Sequence, residues 1–255
     1  MVIRMKWVPK NIKRAILALC ALCVISGIAF GQADSIKLKI THLTGDFYVY
    51  TTWNKYRGIA FPSNSMYVVT DAGVVLIDTP WDTTQIKPLL DSIRTRHHKE
   101  GVICLSTHFH ADRTGGLNWL KGRGIATWSS KQTLDLCRER GEEQAEFYFE
   151  KDTLFQIGQY RFKTIYPGGG HTKDNIVVWF EQEKVLYGGC FVKSTESEGL
   201  GNIADAALDE WGTSIKRVMK ACRKPKYVIP GHQSWVSSKG LQHTLKLLRR
   251  HKKTF

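Results

Sequence analysis

The sequence predicts a layered α/β domain. Short runs rich in β-branched and aromatic residues alternate with stretches of helical apolar spacing, and the strand–helix order of the first half returns in the second. No Pro/Gly/Ser linker divides residues 32–255, so they read as one domain. Helices set between strands need both sheet faces covered, which gives layered α/β architecture. A chain of 255 residues is long enough for a sizeable core, and 42% hydrophobic with 24% charged residues excludes a disordered chain and a multi-pass membrane protein.

Residues 1–31 read as a secretory signal peptide. Arg4, Lys6, Lys10, Lys13 and Arg14 precede the apolar run Ala15–Phe30, and Ala29-Phe30-Gly31 places small residues at the two positions a signal peptidase inspects. The mature chain then begins at Gln32; cleavage after Ala33 fits nearly as well. The competing reading is an uncleaved anchor, because the run falls only slightly short of a membrane span. Export follows, with no stable membrane association after cleavage.

Phe47–Trp53, Met66–Thr70 and Val74–Asp78 read as antiparallel strands, the last two split by the turn Asp71-Ala72-Gly73. Thr83–Lys99, with Ile86, Leu89, Leu90 and Ile93, has helical spacing. Val102–Ser106 is a buried strand, Lys131–Arg140 a helix, and Thr153–Ile165 a hairpin. Ile176–Phe180 and Val185–Tyr187 make another hairpin, followed by helix Leu208–Arg223, strand Tyr227–Ile229 and a terminal amphipathic helix Gly240–His251. Cys104, Cys137, Cys190 and Cys222 remain after cleavage, too few for a disulfide framework. The formal net charge is +14, or +9 for residues 32–255, and the tail Arg249-Arg250-His251-Lys252-Lys253 is basic. A nucleic-acid partner is not expected, since aromatic residues do not interleave with that charge.

The chemistry begins where strand Val102–Ser106 runs into Thr107-His108-Phe109-His110-Ala111-Asp112-Arg113. Two imidazoles at i, i+2 in extended chain point the same way and can grip one metal ion. Asp112 can bind a second ion or orient a water, and Gly115-Gly116 permits a sharp turn that folds these groups together. His171, Cys190 and His232 each stand just past a predicted strand, beside glycine. His108, His110 and His171 make a neutral His₃ set with an open position, the arrangement that activates water. Asp112, Cys190 and His232 make a mixed set whose soft sulfur favours zinc over magnesium or calcium. Two Zn²⁺ sharing a hydroxide would make the chain a hydrolase.

With these residues in place, the sequence resembles a class B metallo-β-lactamase of subclass B1, most closely the branch found in flavobacteria and their relatives. The resemblance runs from Leu38 to Leu248 and rests on Met66–Thr70, Leu76-Ile77-Asp78-Thr79-Pro80-Trp81, Thr107–Gly116, Gly170-His171-Thr172, Asp174–Trp179, Gly188-Gly189-Cys190 and Gln242-His243-Thr244-Leu245. It implies a four-layer αββα sandwich, export to the periplasm, two zincs per chain and a monomer. The implied reaction is opening of the β-lactam ring of penicillins, cephalosporins and carbapenems by a zinc-bound hydroxide, conferring antibiotic resistance. Other branches of the fold carry H-x-H-x-D-H and a bridging aspartate; here Arg113 replaces the last histidine and Cys190 the bridging carboxylate. Arginine does not ligate zinc, so the second set depends on Cys190. By resemblance Asp112 holds the hydroxide in line, Lys193 pairs with the substrate carboxylate, Asn202 assists the oxyanion, and Trp53–Asn64 is the flap over the substrate. Gln233 stands where many relatives have glycine, and Gly168-Gly169-Gly170 is richer in glycine than the pattern needs. The alternative is an exported hydrolase of the same fold acting on a thioester, lactone or phosphoester.

Overall fold

The computed structural model describes residues 1–5, 38–56 and 58–254. Most of the expected leader, with its apolar run and cleavage site, lies outside the described residues. In chain order the elements are β1 (Val2–Met5), β2 (Lys39–Thr44), β3 (Phe47–Tyr56), β4 (Ile59–Thr70), β5 (Gly73–Ile77), α1 (Ile86–His97), β6 (Gly101–Leu105), α2 (Ala111–Thr114), α3 (Leu117–Lys121), β7 (Ala126–Ser130) and α4 (Lys131–Arg140). There follow β8 (Phe147–Phe149), β9 (Thr153–Ile157), β10 (Tyr160–Ile165), β11 (Val177–Phe180), β12 (Val185–Gly189), α5 (Leu208–Ala221), β13 (Tyr227–Pro230) and α6 (Gly240–Thr254).

Two sheets form, in the orders β2-β3-β4-β5-β6-β7-β8 and β1-β9-β10-β11-β12-β13. Side chains alternate along each strand, so a strand buried on both sides feeds two cores. Val75 and Ile77 of β5 face the other sheet, while Val74 and Leu76 meet α1. Tyr187 of β12 faces inward and Leu186 outward onto the helices α5 and α6. Three apolar layers result: between the sheets, under α1 and α3, and under α5 and α6. This is the αββα sandwich. The central layer is rich in aromatics, with Phe155 and Phe162 stacked at 5.1 Å and Phe47 edge-on to Phe180 at 4.9 Å. α5 places Trp211, Ile215 and Val218 inward, each contributing roughly 1.5–3 kcal/mol of burial.

Local chemistry sets several element ends. Asp82 accepts from Thr84 N at 2.9 Å and caps a 3-10 turn, so α1 starts at Ile86 rather than Thr83, and His98 (φ 53°) ends it. Strands β2, β7 and β8 escaped the sequence reading. In β7, Thr127 and Ser129 are buried but polar, which hides the alternation. The strand expected at Met66–Thr70 reaches back to Ile59, because the polar run up to Ser65 pairs with β3 throughout. β1 falls within the expected leader and lies parallel to β9; loss of residues 1–31 would leave that sheet with five strands.

Gly115 and Gly116 do not serve as a left-handed turn: their φ values are −62° and −114°. Their role is close packing. A Cβ on Gly116 would lie 2.5 Å from Ile86 Cδ1, and one on Gly115 2.7 Å from Ala111 O. Gly116 thus lets the turn of His108–Thr114 approach α1, while Gly115 packs against that turn's own backbone.

Candidate metal centre and pocket

His108 and His110 emerge from the bend after β6, and that bend is pinned from below. Asp78, at the end of β5 with φ 64°, accepts from Thr107 N at 2.7 Å, Thr107 Oγ1 at 2.9 Å and the Tyr187 hydroxyl at 2.7 Å. A left-handed backbone on a buried, non-glycine residue costs about 1–3 kcal/mol and persists only where surroundings fix it. Burial pushes the Asp78 carboxyl up to about 6, against the pull of Arg113, Tyr187 and Thr107.

The rings of His108, His110 and His171 meet with centroids 4.9–5.1 Å apart. His171 Nε2 lies 3.2 Å from His110 Nδ1, and the buried His108 Nε2 has no hydrogen-bond partner among the described residues. Burial above all holds His108 and His171 well below the usual histidine range, so both rings are neutral ligands in waiting. His110 Nε2 is 3.1 Å from Asp205 Oδ2, and Asp205 also meets Arg140 Nη2 at 3.4 Å. That carboxylate fixes the tautomer and frees Nδ1 for a metal.

Beside them, Asp112 Oδ2, Cys190 Sγ and His232 Nε2 form a triangle of sides 3.5, 3.2 and 3.3 Å. Donors about 2.0–2.3 Å from one ion at tetrahedral angles stand roughly 3.3–3.8 Å apart, so this triangle has close to the spacing of a zinc site. His232 Nδ1 bonds Pro62 O at 2.7 Å, which leaves Nε2 for the ion. Burial alone would lower the His232 pKa; Cys190 and Asp112 override it and raise it to about 9. Asp112 shows the opposite balance: burial raises its carboxyl, but Arg113 and His232 hold it well below the carboxylate range. The unpartnered His108 nitrogen, the neutral histidines and the Asp112–Cys190–His232 donor set all fit metal cations.

Arg113 lies under this triangle, fully buried. Nη2 donates to Cys190 Sγ at 2.9 Å and Gly231 O at 3.0 Å and pairs with Asp112 Oδ2 at 2.9 Å. Nη1 donates to Asn64 O at 2.7 Å and Tyr187 Oη at 3.1 Å. The residue that cannot ligate thus supports two of the candidate ligands, Asp112 and Cys190, from below.

All six candidate ligands come together. His110, Asp112, His171 and His232 line a cavity of about 530 Å³ with Lys193, Asn202, Tyr56, Phe61 and Trp81. Lys193 is buried with Nζ 5.3 Å from the Trp211 ring; burial lowers its pKa, while Cys190 and Asp112 pull the other way. Asn202 is exposed at the mouth, its Oδ1 accepting from Ala204 N at 3.2 Å. The Trp53–Asn64 stretch is a hairpin of β3 and β4, with Phe61 5.1 Å from the His232 ring. Gln233 has φ 61°, which explains why glycine suits that position, and its Oε1 accepts from Ser197 Oγ. The triple glycine is not surplus: Cβ atoms on Gly168, Gly169 and Gly170 would lie 2.5–2.7 Å from Ser214, Ala207 and Phe191 respectively.

Sequence reasoning missed the supports: Asp78, Asn64, Tyr187, Asp205 and Arg140. Only Asp78 left a signal, a lone carboxylate ending an apolar strand. Cys104, Cys137, Cys190 and Cys222 are buried and not paired in disulfides.

Comparison with known proteins agrees with this geometry. Residues 58–232 match the family model of the metallo-beta-lactamase superfamily. A metallo-beta-lactamase type 2 of Elizabethkingia meningoseptica is 39% identical over 220 residues, covering 86% of this chain and 88% of its own. Metallo-beta-lactamase IND-1 of Chryseobacterium indologenes is 33% identical over 93% of this chain and 99% of its own. The solved metallo-beta-lactamase from Pontibacter korlensis superposes with a TM-score of 0.81 at 37% identity, covering 84% of this chain and 99% of its own. By fold, by the residues that converge at its pocket and by this likeness, the chain belongs to the metallo-β-lactamase superfamily.

Proposed function

We propose that this chain is an exported, periplasmic, monomeric dizinc β-lactamase that opens the ring of penicillins, cephalosporins and carbapenems and so confers antibiotic resistance. The observation that carries the reading is the convergence of six ligand-type side chains from four separate stretches of chain; four of the six line one cavity that also holds a buried lysine. His108, His110 and His171 would hold one zinc, and Asp112, Cys190 and His232 the other. Bound zinc supplies an ionised water at neutral pH and Lewis-acid polarisation of a carbonyl.

The chain's own residues do the rest. Asp112, kept ionised by Arg113 and His232, orients the attacking water through a carboxylate oxygen and can accept its proton. Lys193 Nζ binds the substrate carboxylate; its ammonium is held in place by packing over Trp211, which orients the amide before attack. Asn202 Oδ1 is occupied by Ala204 N, so Nδ2 is the donor it offers to the developing oxyanion. Such a donor contributes about 2.7–4 kcal/mol to transition-state stabilisation. Tyr56, Phe61 and Trp81 form apolar walls that exclude water. Arg113 and Cys190 favour this reading over a thioester, lactone or phosphoester hydrolase.

The test is imipenem hydrolysis by the processed chain, before EDTA, after EDTA, and after zinc is returned, with the three ester types run beside it. Zinc-restorable imipenem turnover is expected; turnover of an ester alone would replace the reading with the alternative.

A further inference from the structure

The charge of this chain is segregated. Of its 37 Lys and Arg residues, 12 fall in residues 211–255, which contain none of the 23 Asp and Glu; residues 32–210 hold 20 basic residues against all 23 acids. The acid-free stretch begins at Trp211, the first buried residue of α5, and runs through α6. Both helices press their apolar sides, Trp211, Ile215 and Val218 on one and Leu241, Leu247 and Leu248 on the other, into the same layer. Their opposite sides therefore face outward together. Lys216, Lys220 and Arg223 of the α5 segment and Lys246, Arg249 and Lys253 of α6 are exposed there, at near-helical spacing.

An ordinary solvated helix face in this protein is built differently. On α1, Lys87 pairs with Asp91 and Arg94 with Glu100 at 2.6 Å; on α4, Lys131 pairs with Asp135 at 2.6 Å. Among the described residues, none of the six cations named above has a carboxylate within 4.0 Å. Unrelieved repulsion of this kind costs stability and favours a polyanion.

We propose that the outward face of α5 and α6 is a docking surface for anionic lipid headgroups, holding the enzyme electrostatically on a membrane. The lipid choice rests on the export reading, because headgroup phosphates are the polyanionic surface an exported chain meets. The face also lacks the exposed aromatics on which single-stranded nucleic acid stacks: the large exposed hydrophobics, including Tyr56, Phe147, Tyr148 and Tyr166, lie on neither helix. Attraction of this type is reversible and decays within a Debye length. It revises the expectation of no stable membrane association, which considered only the leader.

The zinc-loaded enzyme recovered from the envelope of an expressing host is sedimented with phosphatidylcholine vesicles, with and without phosphatidylglycerol. Binding is expected only with the anionic lipid and is expected to vanish near 1 M salt, where the Debye length is about 3 Å. Each cation near such a surface is worth about fivefold in partition. The quadruple variant Lys216→Glu/Lys220→Glu/Lys246→Glu/Arg249→Glu should thus lose at least about a hundredfold while hydrolysing its β-lactam at the parental rate. The corresponding Gln variant, free of new acids, should lose binding to a smaller degree. Equal binding to neutral vesicles, as a retained leader would give, or undiminished binding by both variants, overturns the proposal. Preferential binding of a DNA duplex over anionic vesicles would also overturn it, assigning the face to nucleic acid.

Discussion

Arg113→Met keeps most of a buried side chain's volume while deleting its guanidinium. Two backbone acceptors, Asn64 O and Gly231 O, lose donors at 2.7 and 3.0 Å, and Cys190 Sγ and Asp112 Oδ2 each lose a contact at 2.9 Å. An unsatisfied buried acceptor costs about 1–3 kcal/mol, and breaking a buried ion pair about 3–5 kcal/mol. These losses overlap, since one guanidinium makes all the contacts, so the sum is about 3–5 kcal/mol rather than their total. At roughly 2–4 °C per kcal/mol for a domain of this size, Tm falls by about 6–20 °C. Thermal unfolding should be recorded with zinc and after EDTA. The loss should be larger after EDTA, because zinc supplies Asp112 and Cys190 with another counter-charge. A variant within about 1 kcal/mol of the parent under both conditions would refute the role given to Arg113.

Metal affinity at the Asp112–Cys190–His232 set should fall about tenfold per pH unit below 9, because zinc must displace the proton that His232 holds up to about that pH. In the EDTA-treated chain the sign is reversed for stability: the raised His232 pKa stabilises fully below about 6.5 and is lost as pH rises through about 9, which pH-dependent unfolding would register. Gly170→Ala forces a Cβ to within 2.5 Å of the Phe191 ring, which the buried Trp211 backs at 6.4 Å. It should cost about 1–3 kcal/mol and weaken zinc at the His171 set, measured by chelator competition; unchanged affinity would show that His171 does not depend on that contact.

What the sequence made legible was what depends on residue type and local spacing. His108 and His110 at i, i+2 after an apolar strand, and Cys190 and His232 beside glycines, declared themselves because metal chemistry admits few residue types. The layered α/β class was legible because strands such as Val74–Ile77 and Val185–Tyr187 are apolar on both faces and need both covered, by the other sheet on one side and by helices on the other. The αββα order itself came from the family resemblance. The supports were not legible. Asn64 and Tyr187 reach Arg113 across 49 and 74 residues of chain, and Asp205 reaches His110 across 95. No local pattern marks such contacts. The glycines were misread for the same reason, since what excludes a Cβ at Gly116 is Ile86, on another element.

Metal content measured alongside turnover tests the dizinc centre most directly. As zinc is titrated into the EDTA-treated chain, imipenem hydrolysis should rise with bound metal and level off at two ions per chain. Cys190→Ser should bind one ion tightly and lose most of its turnover. Two tightly bound zincs and full turnover in Cys190→Ser would contradict the account.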